Sequence, residues 1–404
     1  MNIVVVGCGV AGATAAFTAR QYDAEAKISV YTDEGYLYYL RPRLYEVITG
    51  ERKPDEIYSY PYDLYERKNI EVHLNSKVAN IDLAGKQVVI RDGSRVNYDK
   101  LLLATGSHPF VPPVEGVEKR GVFTLRTVED ALAIREYSSQ TRKAIIIGGG
   151  LLGLEFAACW TRLGKKAEVI EVNPRLLPRQ LDPEGTEMLR QYLAERNIEC
   201  RLGVKISEIQ GNETVSGITL DNGEQLSGGL VLVAAGIKCN SDLAVDARIN
   251  VNRGVVVDQY LQTAQKDIFA AGDAAEFEGR VYGIIPPSVE QAKIAGANMV
   301  GREKHVYRGS VRFATLKVAG ISLTSMGEVN PERPGCEEVR KINAEQRIYK
   351  KLVLKEGKII GAILLGDSRA APFISRLMNE QTDVTRYKNQ ILEDRFDFGQ
   401  FLRK

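Results

Sequence analysis

The sequence is poor in cysteine and histidine and has no long apolar run. Five cysteines and three histidines are scattered through 404 residues, without a CxxC pair or a Cys/His cluster. This scarcity argues against a disulfide framework, a zinc site or an iron–sulfur site. No apolar stretch reaches membrane-spanning length, and the chain opens on a strand pattern, unlike a signal peptide. We therefore expect a cytoplasmic protein with no metal and no membrane segment.

An excess of charge of either sign is also missing. The chain has 54 Lys and Arg against 52 Asp and Glu, for a net charge of +2. No general attraction to nucleic acid or anionic lipid follows from this balance. Hydrophobic residues make up 44% of the chain and charged residues 26%, which is typical of globular proteins. A length of 404 residues predicts at least two large domains.

Two glycine-rich turns each follow an apolar strand pattern and precede a helix pattern. Strand, turn and helix cover 3–6, 7–12 and 13–20 in the first unit, and 144–147, 148–153 and 154–163 in the second. In such a turn the first glycine permits the bend, the second lets backbone N–H groups approach a pyrophosphate, and the third lets helix pack on strand. These glycines are Gly7, Gly9 and Gly12, and Gly148, Gly150 and Gly153. One such turn can be purely structural, but two predict two dinucleotide sites.

Acidic residues follow the second strand of each unit. Glu171 comes directly after strand pattern 167–170. A carboxylate there accepts hydrogen bonds from a ribose and repels a 2′-phosphate, so it predicts NADH over NADPH. Arg175 could weaken that preference. In the first unit Asp33 and Glu34 follow the strand, and either could reach the adenosine ribose.

With these turns, three further segments resemble the FAD/NAD pyridine nucleotide oxidoreductases: Ala104-Thr105-Gly106, 269–273 and 316–321. The resemblance is strongest to NADH:rubredoxin reductases, ferredoxin reductases and the flavoprotein part of assimilatory nitrite reductase. It implies an α/β fold with two Rossmann-like domains, for FAD and NAD, and a smaller α+β C-terminal domain. We expect these boundaries: 1–113 and 241–308 for the FAD domain, 114–240 for the NAD domain, and 309–404 for the C-terminal domain.

The resemblance also implies roles for single residues. Arg41, beside Pro42, would neutralise FAD phosphate, Asp273 after Gly272 would bind the ribityl chain, and Gln291 would lie near the flavin pyrimidine edge. The remaining implied cofactor contacts are Val78, Ala104, Thr105, Gly106 and Gly236.

Glu155 matches a family glutamate near the nicotinamide and the flavin, with an ordinary helix-face carboxylate as the equal alternative. In some ferredoxin reductases a lysine faces this glutamate. Glu46 stands at that lysine's place here, so we do not expect the pair.

The activity implied is that of an FAD-dependent NADH:acceptor oxidoreductase. NADH would give a hydride to flavin N5, and the electrons would pass to a small iron–sulfur protein such as rubredoxin. Because the cofactors carry this chemistry, no catalytic triad is required. The family's thiol enzymes need a cysteine near residues 40–44, and none is there. Cys8, Cys159, Cys200 and Cys239 are interpreted as packing residues, and Cys336, beside two glutamates, as a poor nucleophile.

Two other functions stay open at this point. The protein could be an NADH oxidase that reduces oxygen to hydrogen peroxide. It could also be a binding or scaffold protein that responds to FAD and NADH. A homodimer is compatible with each of them.

Overall fold

The computed structural model describes residues 1–301, 303–310, 313–332 and 334–401, with side chains for all of these except 313–316 and 318. The chain divides into two compact units. The first unit is Met1–Phe110, Leu125–Arg135 and Ile237–Ser310, and the second unit is Val111–Thr124, Glu136–Gly236 and Val311–Lys404. The three domain boundaries expected from the sequence stay a prediction.

Helices and strands are numbered in chain order over the described residues. The α-helices are α1 Val10–Tyr22, α2 Leu44–Thr49, α3 Tyr62–Arg67, α4 Val128–Ser138, α5 Leu151–Arg162, α6 Pro183–Ala194, α7 Asp242–Asp246, α8 Ile285–Val300 and α9 Ala371–Asn379. Short 3₁₀ turns cover Arg41–Arg43, Pro54–Ile57, Gly272–Ala274 and Phe398–Phe401.

The strands that precede the second glycine turn are β1 Asn2–Val6, β2 Lys27–Tyr31, β3 Ile70–His73, β4 Val78–Asp82, β5 Gln87–Ile90, β6 Arg95–Asn97, β7 Lys100–Leu103, β8 Ser107–Pro109, β9 Val122–Phe123 and β10 Lys143–Ile147. Those that follow are β11 Lys166–Glu171, β12 Ile198–Leu202, β13 Ile206–Gln210, β14 Gly217–Leu220, β15 Gln225–Ser227, β16 Leu230–Val233, β17 Ile237–Cys239, β18 Val255–Val257, β19 Ile268–Ala270, β20 Ala275–Phe277, β21 Phe313–Val318, β22 Ile321–Gly327, β23 Cys336–Asn343, β24 Ile348–Lys355 and β25 Lys358–Leu365.

The first unit is built on a parallel sheet in the order β19-β7-β1-β2-β3. Its central strands are continuous apolar runs because both faces are covered, and the side chains at 3–6 are buried. Helices α1 and α8 pack closely, since a Cβ on Gly296 would lie 2.6 Å from the backbone oxygen of Ala15. The chain runs outward from β1 to β2 and β3 on one side, and β7 pairs on the other. The carboxyl ends of β1 and β7 therefore form a topological switch point, where ligands bind in such sheets.

The second unit repeats this plan. Its parallel sheet has the order β12-β11-β10-β16-β9, with the switch point between β10 and β16. The same unit contains an antiparallel sheet in the order β21-β22-β25-β24-β23, called here the C-terminal sheet. Buried side chains of β24, β25 and α9, among them Leu352, Leu364 and Ile374, form its core. The predicted fold class, two Rossmann-like domains and an α+β C-terminal part, is confirmed.

The structure corrects several predicted boundaries. Helices α1 and α5 begin three residues early, at Val10 and Leu151, because the bend is complete at the second glycine of each turn. The sequence pattern predicts a helix around 289–300, but α8 begins earlier, at Ile285, since prolines are tolerated in a first helical turn. Prolines and a glycine at 109–116 predict a linker after Gly106, but the residues there include strand β8, which pairs with β17. No helix in the described part of the chain is long and apolar enough to cross a membrane.

Candidate functional site

The first glycine turn follows β1 at the switch point of its sheet. Gly7 has φ +103°, and a Cβ there would lie 2.2 Å from the backbone oxygen of Ala104. A Cβ on Gly12 would lie 1.9 Å from the oxygen of Gly7. Both positions therefore require glycine for the fold itself. No described atom lies within 4 Å of the place that a Cβ on Gly9 would take.

Helix α1 begins directly after Gly9, and no described side chain caps its N-terminus. The free N–H groups of a first helical turn carry positive potential. Open space beside such a helix end fits a phosphate group. The turn therefore has the shape and polarity of a dinucleotide pyrophosphate site.

The second glycine turn has the same geometry. Gly148 has φ +116°, and its Cβ would lie 2.4 Å from the backbone oxygen of Ala234. A Cβ on Gly153 would lie 2.1 Å from the oxygen of Gly148. The position beyond Gly150 is open to 4 Å among the described atoms, and α5 starts there without a side-chain cap from them. This turn fits a second pyrophosphate.

Hydrogen bonds around the two turns correspond one to one. The N–H of Gly7 donates to Tyr31 at 2.7 Å, and the N–H of Gly148 donates to Ile170 at 2.8 Å. Thr32 follows Tyr31 as Glu171 follows Ile170, so Thr32 has the position in the first unit that Glu171 has in the second. Two residues further on, Glu34 occupies the place of Asn173, because their carbonyls accept from Asn75 and Gly203 at 3.1 and 3.0 Å.

Glu171 ends β11 and is buried beside the second glycine turn. One carboxylate oxygen accepts the N–H of Gly149 at 2.6 Å. The other accepts the backbone N–H and the side-chain amide of Asn173, at 2.8 and 2.6 Å. These donors fix a negative charge next to the turn, where a ribose would bind and a 2′-phosphate would be repelled. Arg175 lies four residues further along and is half-buried.

The acids of the first unit are arranged differently. Asp33 is exposed, whereas Glu34 binds the Arg41 guanidinium at 2.8 Å and accepts a hydrogen bond from the Tyr39 hydroxyl. The same guanidinium donates to the Tyr39 hydroxyl at 3.1 Å and to the Arg126 carbonyl. Arg41 thus has protein partners in Glu34, Tyr39 and the Arg126 carbonyl, and its predicted role as a phosphate ligand stays a prediction. Pro42 lies in the same 3₁₀ turn.

Arg126 is a site residue that the sequence reasoning missed. It lies in the first unit, and its Nη2 pairs with Asp273 at 2.9 Å. Its Nε is buried and has no hydrogen-bond partner among the described residues. A Cβ on Gly106 would lie 3.7 Å from the Arg126 Nη2. Burial, and next the nearby Arg41, lower the pKa of Arg126. A half-buried guanidinium whose buried Nε has no partner among the described residues fits an anionic ligand.

Asp273 lies in the 3₁₀ turn after β19, as the motif predicts. Besides Arg126, it accepts a hydrogen bond from Ser107 at 2.8 Å. A Cβ on Gly272 would lie 2.8 Å from the Ala11 Cβ, so this turn sits against the start of α1. The predicted residues Gly7, Ala104, Gly106, Gly272 and Asp273 are therefore brought together at one edge of the first sheet.

Gln291 is buried in the second turn of α8, so it does not lie at the helix start. Its side-chain oxygen accepts the Gly272 N–H at 2.9 Å, and its amide donates to the Tyr307 hydroxyl at 3.4 Å. Gln291 thus supports the turn that carries Asp273.

The other predicted contacts have defined places. Thr105 and Asn240 exchange hydrogen bonds of 2.6 and 2.8 Å after β7. Val78 is buried at the start of β4. Gly236 has φ +121° and follows β16 as Gly106 follows β7. Each of these lies near a switch point except Val78, which belongs to the antiparallel sheet of β4, β5 and β6.

Glu155 lies on α5, one turn beyond the second glycine turn, and is half-buried. Burial raises the pKa of its carboxyl to about 7, against a smaller lowering by Arg162. Within the described residues it makes no hydrogen bond or ion pair. Glu46, at the family lysine's place, binds Arg43 at 3.0 Å and Arg52 at 2.8 Å.

The cysteines carry no disulfide; all five lie within the described residues. Burial raises the pKa of Cys8 to about 11, and its sulfur lies 4.0 Å from the Tyr65 hydroxyl. Burial also raises the pKa of Cys200 to about 12. Cys200 is only half-buried by surface area, so its predicted core position is too strong a statement. High pKa values make these thiols weak nucleophiles.

Comparison with known proteins gives two family matches. Residues 1–298 match the model described as pyridine nucleotide-disulphide oxidoreductase. Residues 313–382 match the rubredoxin NAD+ reductase C-terminal domain. Together they cover both parallel sheets and the C-terminal sheet.

Individual proteins are similar over most of the chain. The NADH-rubredoxin oxidoreductase of Clostridium acetobutylicum is 34% identical, over 91% of this chain and 91% of that protein. The ferredoxin reductase for the CYP199A2 system of Rhodopseudomonas palustris has a TM-score of 0.89 at 25% identity, over 99% of both chains. The nitrite reductase [NAD(P)H] of Bacillus subtilis is 36% identical over 95% of this chain, which spans only 48% of that protein. Among similar nitrite and nitrate reductase proteins the spanned share is 39–51%.

Proposed function

The chain belongs to the pyridine nucleotide-disulphide oxidoreductase family, and on that basis we propose that it is an FAD-dependent NADH:acceptor oxidoreductase. FAD would bind at the first glycine turn and NADH at the second. The acceptor would be a small iron–sulfur protein such as rubredoxin. The observation that carries this proposal is the pair of open glycine turns, each beside an uncapped helix at a switch point.

Residues of the first unit would hold FAD by its charged and hydroxyl groups. The first-turn N–H groups of α1 and the unused Nε of Arg126 would donate to the pyrophosphate. Asp273, fixed by Arg126 and Ser107, would accept a hydrogen bond from the ribityl chain. When bound, FAD accepts a hydride from NADH at N5 and can release the electrons one at a time.

Residues of the second unit would hold NADH and select it. The N-terminus of α5 would face the pyrophosphate, and Glu171 would accept hydrogen bonds from the adenosine ribose. Glu155 would lie near the nicotinamide, as in the family. Because the hydride passes between cofactors, these residues need only bind and orient. No acid, base or thiol has to act in that step.

The choice of acceptor is supported by the names of similar proteins. The Clostridium relative acts with rubredoxin by its name, and the Rhodopseudomonas structure is a ferredoxin reductase. The C-terminal match is to a domain of rubredoxin NAD+ reductase. A cytoplasmic location belongs to the proposal, because NADH is made and used there. We also propose that the protein forms a homodimer, which light scattering would measure.

The test is the initial rate of NADH oxidation with and without an excess of oxidised rubredoxin, in air and under nitrogen, because each NADH reduces two rubredoxin molecules. We expect fast, rubredoxin-dependent turnover under both gases. Turnover that needs oxygen and yields hydrogen peroxide would make the protein an NADH oxidase. A protein that binds both cofactors without useful turnover under any condition would be a binding or scaffold protein.

A further inference from the structure

We propose that the C-terminal sheet positions the second glycine turn for pyridine nucleotide, and that Asp182 transmits this effect. The inference rests on the proposed function of that turn. It gives the C-terminal sheet a part in nucleotide affinity, in addition to its own folding.

The contact begins at the glycine turn itself. The Gly149 oxygen accepts the N–H of Leu177 at 3.1 Å. Leu176 is fully buried, and a Cβ on Gly149 would lie 2.7 Å from its Cδ2. Leu177 holds the left-handed φ of +47°, which a leucine keeps only when its surroundings enforce it. The segment 172–181, which links β11 to α6, is therefore a direct support of the turn.

The far end of that segment is held by Asp182. Asp182 caps α6 by accepting the Gly185 N–H at 3.0 Å, and only 1% of it is exposed. The same carboxylate accepts the Tyr349 hydroxyl and pairs with the Lys351 ammonium at 3.1 Å. Both partners lie on β24 of the C-terminal sheet. One residue earlier, the Leu181 oxygen accepts the Asn330 amide at 2.9 Å.

Burial makes this contact specific. Lys351 is 2% exposed, and its second partner is Glu338 of β23 at 2.8 Å. A buried ion pair adds little net stability, because the desolvation of both charges offsets their attraction. Its remaining effect is geometric, since each donor must meet its acceptor in one arrangement. The C-terminal sheet thus fixes where segment 172–181 ends, and the segment fixes Gly149.

The chain contains a matched control. Arg347 of the C-terminal sheet's β23–β24 connection pairs with Glu195, at the opposite end of α6 from Asp182. This pair joins the same two parts of the unit but lies on the surface, and Arg347 also lies over the ring of Tyr192 in α6 at 5.4 Å. It should contribute to docking of the sheet without affecting the glycine turn.

The experiment compares Tyr349→Phe and Asn330→Ala with Arg347→Ala in the FAD-loaded protein. Loss of one buried hydrogen bond should raise the NADH KM and the Kd for NAD+ by about 2- to 10-fold. The kcat and the flavin content should stay at the wild-type values, and Arg347→Ala should change the KM by less than about twofold. Amide hydrogen exchange at Leu177 should become faster in Tyr349→Phe and not in Arg347→Ala, whether or not NADH is oxidised.

Two results would overturn the inference while the proposed function stands. One is an unchanged NADH KM and unchanged Leu177 exchange in Tyr349→Phe. The other is an equal effect of Arg347→Ala, which would mean general loosening of the sheet. A wild-type protein that binds neither NADH nor NAD+ would contradict both the proposed function and the inference.

Discussion

Arg126 and Asp273 form an ion pair of 2.9 Å between residues 147 positions apart in the chain, and the Arg126 Nε has no partner among the described residues. Since a buried N–H group normally has an acceptor, this unpaired donor fits an anionic ligand. Gly106 is a neighbour of the same guanidinium, because a Cβ added to it would lie 3.7 Å from the Arg126 Nη2. The pair therefore joins Asp273, which the resemblance assigns to the ribityl chain, to an arginine proposed to donate to the FAD pyrophosphate.

Replacement of Arg126 by lysine should weaken FAD binding. A lysine keeps the charge but loses the planar set of N–H donors. We expect the Kd for FAD to rise at least tenfold, as for a hydrogen bond between charged groups. The measurement is titration of the apoprotein with FAD. Arg67→Lys, on an exposed surface pair with Asp63 in the same unit, is the control, and an equal effect there would refute a specific role for Arg126.

Alanine at the glycines of each turn should separate folding from binding. Gly7→Ala and Gly148→Ala place a Cβ within 2.4 Å of a backbone oxygen at a left-handed φ, so both should lower the melting temperature strongly. Gly9→Ala and Gly150→Ala meet no described atom and have φ near −80°. They should leave the apoprotein's melting temperature within about 2 °C of wild type, because nothing in the fold opposes the methyl group.

Gly9→Ala and Gly150→Ala should nevertheless weaken the binding of FAD and NADH. Gly9→Ala should weaken FAD binding only, and Gly150→Ala should raise the NADH KM only, since each methyl group enters one proposed pyrophosphate site. Normal FAD and NADH binding in both variants would show that these open positions are not nucleotide sites.

Replacement of Glu171 by arginine should move the preference toward NADPH. The variant removes the ribose acceptor and the repulsion of a 2′-phosphate. We expect the NADH/NADPH ratio of kcat/KM to fall at least tenfold. Val172→Arg is the matched control, because it adds the same charge at an exposed neighbour and keeps the carboxylate. A ratio that does not move in Glu171→Arg would remove this residue from cofactor selection.

The raised pKa of Glu155 predicts a pH dependence of stability. Burial raises the pKa of the Glu155 carboxyl from 4.5 to about 7 in the folded protein. Well below pH 4.5 the carboxyl is protonated in both the folded and the unfolded chain, so it does not change the free energy of unfolding. Between pH 4.5 and about 7 the unfolded chain ionises first, so the folded state loses stability as the pH rises, by an amount on the order of 2 kcal/mol. Above pH 7 the loss stays constant.

Glu155→Gln removes this titration and should be as stable as wild type at pH 4.5 but more stable at pH 8. Melting curves of the wild type and the variant at pH 4.5 and pH 8 measure this difference in stability. If the carboxyl also lies near the nicotinamide, a break near pH 7 in kcat/KM should vanish in the variant. Parallel melting temperatures of the two proteins at every pH would contradict the raised pKa.

The sequence predicts local features well. The turns at Gly7 and Gly148 follow from a few adjacent residues, because a bend, an N–H approach and helix packing each need glycine at a set spacing. The residue pattern near 371–379 predicts a helix, and the structure has helix Ala371–Asn379 there. Glu171 lies at the end of a strand, as its sequence pattern predicts, and its role in cofactor selection stays a prediction.

Contacts between distant segments are what the sequence could not predict. Arg126 meets Asp273 only after folding, and no spacing rule connects them. Arg41 binds Glu34 and Tyr39, contacts that its loop sequence does not indicate, and its expected contact with FAD phosphate stays a prediction. Residue spacing offers both Asp33 and Glu34 for the adenosine ribose, and that role stays a prediction, although the hydrogen-bond register aligns Glu171 with Thr32. Such cases depend on side-chain partners that only the three-dimensional arrangement supplies.

The most direct test of hydride transfer is rapid-mixing reduction of the purified, FAD-loaded protein under nitrogen, with NADH carrying deuterium on either face of its C4 atom. We predict that NADH bleaches the flavin absorbance, that deuterium on one face slows the bleaching and on the other does not, and that added rubredoxin restores the oxidised spectrum. NADH binding without bleaching, or equal rates with both deuterated forms and NADH itself, would contradict direct transfer between two nucleotides held by this chain.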